Sequence, residues 1–258
     1  MRRARPVSFA LAELDASALP LSHASRAAGA VVALRDVVFA WTPGTPPVLR
    51  IPAFEVAERE RVFLRGPSGS GKSTLLGLLA GVIRPQGGRV SVLGQDLTAL
   101  GGPARDRFRA DHVGFVFQLF NLIPYLSVVE NVCLPCLFSE RRRARARDVG
   151  GSVQHEAIRL LEHLGLADPA LLRRPVTELS VGQQQRVAAA RALIGAPGLV
   201  IADEATSSLD ADRREAFLEL LFRECSVTGA AVVFVSHDAS MAHLFDRTVE
   251  LAGINEAP

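Results

Sequence analysis

Lysine is almost absent from this chain. Of 29 basic residues in 258, one is lysine, Lys72, and all the others are arginine. Three cysteines are too few for a closed disulfide framework, so a reducing compartment is the simpler expectation. A spanning helix needs roughly 20 mostly apolar residues, and the longest charge-free run, His112 to Val129, is interrupted by Gln118, Asn121 and Pro124. The chain opens Met1-Arg2-Arg3, but Glu13 and Asp15 break any apolar stretch of secretory type. A soluble chain is expected, held at a membrane only through a partner. A net charge of +2 leaves no global field that would select nucleic acid or a lipid surface. At 48% hydrophobic and 22% charged, there is ample material for a core.

The one lysine sits in Gly66-Pro67-Ser68-Gly69-Ser70-Gly71-Lys72-Ser73-Thr74, which fits G-x-x-x-x-G-K-[ST] at every fixed position. Its glycines let backbone N–H groups turn toward an anion without obstruction by a Cβ. The apolar run after Ser73 reads as a helix whose positive end faces phosphate. Lys72 is a compact point charge suited to β- and γ-phosphates, and the Ser73 hydroxyl suits Mg²⁺. A Gly/Ser surface turn before a helix is the bland alternative.

Residues 1–30 show no sustained period and read as a poorly ordered extension, with one short helix around Phe9–Leu14. Strand-like segments follow at 31–34 and 37–39, then a break at Pro43–Pro47. Arg61–Arg65 is a short strand that runs directly into the phosphate loop, and 87–94 reads as a hairpin strand. From Asn121 to Ser180 the chain turns helical, with Ile158, Leu161 and Leu164 on one face of 154–164. The apolar runs 198–203 and 230–236 suit parallel strands buried on both faces, with a helix over 213–223 between them. Strand, helix and strand in this order predict an α/β fold. There is no internal repeat and no heptad seam.

Four further elements follow the phosphate loop. Leu199–Asp203 is an apolar strand ending in two carboxylates: Asp203 can orient Mg²⁺ ligands, and Glu204 can serve as general base. Paired acids at a strand end also commonly cap the next helix. His237 follows the other apolar strand, where it can hydrogen-bond a γ-phosphate, although a lone histidine is more often structural. Gln118 follows the apolar segment Val113–Phe117 and presents an amide. Leu179-Ser180-Val181-Gly182-Gln183 opens a helix and makes a second site fit for an anion.

In this order the residues resemble the ATP-binding-cassette ATPases, over about residues 31–250. The resemblance implies a P-loop NTPase core, mostly parallel sheet flanked by helices, with an antiparallel β subdomain, a helical subdomain near 119–180 and a short tail at 251–258. It implies that 66–74 bind ATP, that Ser73, Gln118 and Asp203 manage Mg²⁺, and that Glu204, His237 and Gln118 are catalytic. It further implies that Ser180, Gly182, Gln183 and Asp210, in Ser207-Ser208-Leu209-Asp210, act in trans on ATP held by a second copy. An isolated monomer would then be nearly inactive. Trp41, the only tryptophan, matches the aromatic that stacks on adenine, with a packed core ring as the alternative. Val181 departs from the family's usual Leu-Ser-Gly-Gly-Gln, and a β-branched residue there resists any positive φ.

The compact helical interval and the segment Phe120 to Pro135 look like the subgroup serving lipoprotein-release and macrolide-efflux permeases, which turn ATP-driven closure into mechanical work. An apolar patch at Phe120, Leu122 and Tyr125 would receive the permease, or else pack within the subdomain. The implied setting is the cytoplasmic face of a bacterial inner membrane, with the permease as partner. A soluble cassette ATPase acting in assembly or regulation is the alternative. Cys133 and Cys136 have metal-motif spacing but apolar surroundings, so packing is expected. The basic run 141–147 reads as a solvated helix start or loop, with anionic lipid contact as a second possibility.

Overall fold

The computed structural model describes residues 29–206 and 209–257; the short helix expected around Phe9–Leu14 lies outside them. Two sheets organise the described residues. The first is antiparallel, in the order β2 (Leu49–Ala57), β1 (Ala30–Phe39), β4 (Gly87–Val92), β5 (Gln95–Asp96). The second is parallel, in the order β6 (Val113–Val116), β7 (Leu199–Asp203), β8 (Ala231–Val235), β3 (Arg61–Arg65), β9 (Arg247–Glu250).

The inner strands β7 and β8 are apolar up to Asp203 at the end of β7 because both their faces are covered. Side chains alternate across the pleat, so one run feeds two cores. Leu199, Ile201, Val233 and Val235 join the core shared with the antiparallel sheet and α1 (Lys72–Leu79). Val200, Ala202, Val232 and Phe234 face the other core, built with the helices.

The connection from β5 to β6 is α2 (Gly102–His112), an arginine-rich helix with no buried residue and no apolar face to announce it. Beyond β6 lie α3 (Val128–Cys133), α4 (Pro135–Phe138), α5 (Glu140–Gly150), α6 (Val153–His163) and α7 (Pro169–Leu172), then α8 (Val181–Leu193). Ser127 starts α3 with a capping box to Glu130. In α6 the buried face is Ala157, Leu160 and Leu161, with Leu164 just beyond it, while Ile158 lies at its margin. Finally α9 (Ala211–Thr228) crosses from β7 to β8, ending at Gly229 with φ 73°.

The basic run 141–147 is helical, as part of α5, but it is not uniformly solvated. Arg142 is 2% exposed and donates to the carbonyls of Val113 at 2.7 Å and of Ala192 and Ile194, both at 3.3 Å. Burial pulls its pKa down to about 10. The guanidinium thus pins α5 to the start of β6 and the end of α8. Gly114 of β6 is forced by the same junction, since a Cβ there would lie 2.3 Å from the Ala192 carbonyl oxygen. Cys136 is buried and Cys133 packs beside the same core, where burial raises the Cys133 thiol to about 11.

Candidate nucleotide site

Because β3, β6, β7 and β8 are parallel neighbours, everything that follows their carboxyl ends gathers along one edge of the sheet. The register pairs Leu64 and Asp203 with Val235, and Val116 with Ala202. The phosphate loop, Gln118, Glu204 and His237 therefore emerge side by side. They line a cleft of about 690 Å³ together with Trp41 and Asp203.

The loop has the geometry its glycines permit. Gly69 and Gly71 have φ of 79° and 98°, values costly for any residue with a Cβ. A Cβ on Gly71 would also lie 2.8 Å from Leu49 Cδ2. Gly71 supplies no side-chain cap to α1, so the helix presents bare N–H groups to the cleft. The Lys72 ammonium is drawn inward and donates to the carbonyls of Gly66 and Pro67, each at 2.8 Å. Ser70 Oγ is buried without a hydrogen-bond partner. Ser73 Oγ lies 3.2 Å from Asp203 Oδ2. Burial raises the Asp203 pKa; the Ser73 hydroxyl opposes the rise, Glu204 adds to it and Lys72 opposes it. A loop of N–H donors, an inward ammonium and a hydroxyl–carboxylate pair fit a polyphosphate with a divalent cation.

Glu204 leaves β7 with φ 46°, a left-handed conformation unusual for glutamate. Its N–H still donates to the Val235 carbonyl at 2.9 Å, which holds the strained residue in the sheet's frame. This conformation leaves its carboxylate 3.3 Å from His237 Nδ1. Gln118 is exposed beyond β6. Trp41 is 65% exposed, with its ring edge against the buried Phe39 at 5.0 Å between centroids. Phe39, not Trp41, is the core aromatic of that strand.

Ser180, Gly182 and Gln183 do not line this cleft. They form a separate surface hollow of about 200 Å³ with Leu209. Ser180 caps α8 in a reciprocal box: its hydroxyl accepts from Gln183 N–H and its own N–H donates to Gln183 Oε1. Val181 is the first helical residue and not a left-handed one, so its branched side chain meets no obstacle. Asp210 caps α9 through the Arg213 N–H at 3.0 Å; Ser207 and Ser208 lie outside the described residues. The patch expected at Phe120, Leu122 and Tyr125 is split. Phe120 is buried and Leu122 packs on the core, leaving Tyr125 exposed.

The chain belongs to the ABC transporter family, whose profile matches residues 49–207. It is 44% identical to the lipoprotein-releasing system ATP-binding protein LolD of Anaeromyxobacter dehalogenans, over 81% of this chain and 84% of that one. It is 43% identical to the uncharacterized ABC transporter ATP-binding protein YbbA of Escherichia coli, over 76% and 82%. The dimeric MJ0796 bacterial ABC transporter cassette superposes with a TM-score of 0.72 at 34% identity, covering 85% of this chain and 93% of that one. A post-hydrolysis dimer of MJ0796 with ADP and Pi gives 0.71, with the same identity and coverage. The chain is therefore a nucleotide-binding ATPase subunit of an ABC transporter with a P-loop NTPase core. These similarities do not favour a soluble cassette without a permease. Among the described residues, no helix is long and apolar enough to cross a membrane.

Proposed function

We propose that two copies of this chain close around two Mg·ATP and drive an integral-membrane permease of the lipoprotein-releasing type, from the cytoplasmic face of a bacterial inner membrane. The observation that carries the dimer is the separation of two anion-ready surfaces. The phosphate cleft and the Ser180–Gly182 hollow share no residue, so a second copy is the natural source of the missing half of each site. The dimeric cassettes it resembles support this.

Within each cleft, Lys72 and the backbone N–H groups of 69 and 71–74 hold the phosphates, and Trp41 stacks on the base. Ser73, Asp203 and Gln118 hold Mg²⁺, which when bound neutralises charge on the phosphate oxygens. Glu204 takes the proton of the attacking water, while His237, within reach of Glu204, holds the γ-phosphate. Ser180, Gly182, Gln183 and Asp210 serve the partner's nucleotide.

The permease contact falls at a second cleft of about 580 Å³, where Phe115, Phe117 and Phe138 form apolar walls and Arg107 and Arg191 supply charge. It begins next to Gln118, which ties permease position to the Mg²⁺ site. The test is a pull-down of tagged Glu204→Gln chain from detergent-solubilised native membranes with Mg·ATP. Recovery of one integral membrane protein with few spanning helices and a large extracytoplasmic part is expected. Recovery of soluble partners alone would overturn the permease reading.

A further inference from the structure

The loop after β7 and the loop after β8 are joined by one side chain. Arg214, in the first turn of α9, makes an ion pair through Nη1 with Asp238, the neighbour of His237. Its Nη2 donates to the carbonyl of Leu209 at 2.8 Å. Only 15% of this side chain is exposed, and Nε is buried without a partner. Both ends of the fork are themselves anchored. Asp238 accepts from Ser240 N–H at 2.9 Å and donates its own N–H to Ser236 Oγ at 3.1 Å. Leu209 lines the hollow of Ser180 and Gly182, with Leu209 Cδ2 3.5 Å from where a Cβ on Gly182 would stand. A continuous path thus runs from His237 in one site to the signature hollow in the other.

We propose that Arg214 is a positioning residue that fixes the His237 segment against the Leu209–Asp210 loop, so that occupancy of the signature hollow by a partner's nucleotide sets the hydrolytic geometry of this chain's own cleft. The inference rests on the two-site dimer reading. A planar fork is needed because two acceptors on different loops must be met at once. A lysine ammonium retains the charge but not the forked geometry. Arg214 touches no substrate, so its effect belongs in kcat and in cooperativity, not in ATP affinity.

The experiment measures ATP hydrolysis and ATP affinity for the full wild-type chain and for Arg214→Lys, Arg214→Gln and Asp238→Asn. Each variant is expected to lose about tenfold or more in kcat, with the intrinsic ATP affinity of the cleft, measured on dilute monomer, held within about twofold. The Hill coefficient in ATP is expected to fall from about 2 to about 1. Asp238→Asn added to Arg214→Gln should cost nothing further, because both break the same link. Variants that lose thermal stability yet keep wild-type kcat and Hill coefficient would overturn the proposal and leave Arg214 a structural clamp. If one substitution prevents folding, the milder Arg214→Lys and Asp238→Asn decide. Should the wild-type chain itself hydrolyse ATP without cooperativity, the dimer reading fails, a result distinct from failure of the Arg214 link.

Discussion

Glu204 and Asp203 are adjacent in sequence and differ in what surrounds them. Asp203 ends a strand, half-buried against Ser73, while Glu204 turns into a left-handed conformation toward His237. Replacing Glu204 by Gln keeps size and polarity but removes the acceptor for a proton. Hydrolysis should fall by at least about a hundredfold, with ATP binding retained and the dimer trapped by Mg·ATP. Gel filtration with saturating Mg·ATP checks this; a variant that stays monomeric would count against two-site closure. Asp203 supplies a pH signature. Burial raises its carboxyl above the ordinary range, so folding takes up a proton between the unfolded and the raised folded values. Stability from this group is complete below that window, and is lost as pH rises through it. Asp203→Asn should flatten the profile, gaining on wild type from about pH 4 upward while losing Mg²⁺-dependent nucleotide binding. Urea midpoints across pH decide it, and parallel profiles would remove the assignment.

At the scale of elements, α5, β6 and α8 meet at Arg142, a buried cation with three carbonyl acceptors and no carboxylate partner within salt-bridge distance among the described residues. Methionine has similar bulk but leaves those carbonyls without their donor. Arg142→Met should therefore cost about 2–4 kcal/mol, measured by urea unfolding, and an unchanged midpoint would mean the carbonyls find other donors. The other end of α8 is held by its Ser180 box, which satisfies the N–H groups of both Ser180 and Gln183 and sets the entry of the chain into the helix. Val181 is harmless there because the first helical turn asks for negative φ, which a β-branched residue adopts freely.

For the whole molecule, the signature hollow lies outside the cleft that holds the phosphate loop. Specific activity should consequently rise with chain concentration, in the manner of a dimer assembling its site. Steady-state rates over a hundredfold dilution series measure this, and a constant rate per chain would mean that one copy suffices.

Much of the candidate site was legible in the sequence because its residues stand in short contiguous stretches. The loop 66–74, the strand ending at Asp203 and Glu204, and the box opening at Ser180 each combine a residue type with a local backbone demand. The two central strands were legible too, since strands covered on both faces need unbroken apolar runs. By contrast α2 carries no buried residue, and short, strongly polar elements leave no period to read. What the sequence by itself determined, then, is the local set: strand, loop, helix start and the polar groups they hold. Tertiary structure alone decided which of those groups meet. It buried Phe120 and exposed Trp41, buried Arg142 out of a basic run, and gave Arg214 acceptors on two loops. The physical reason is that burial and hydrogen-bond pairing depend on what the remainder of the chain brings alongside, and no window of neighbouring residues contains that information.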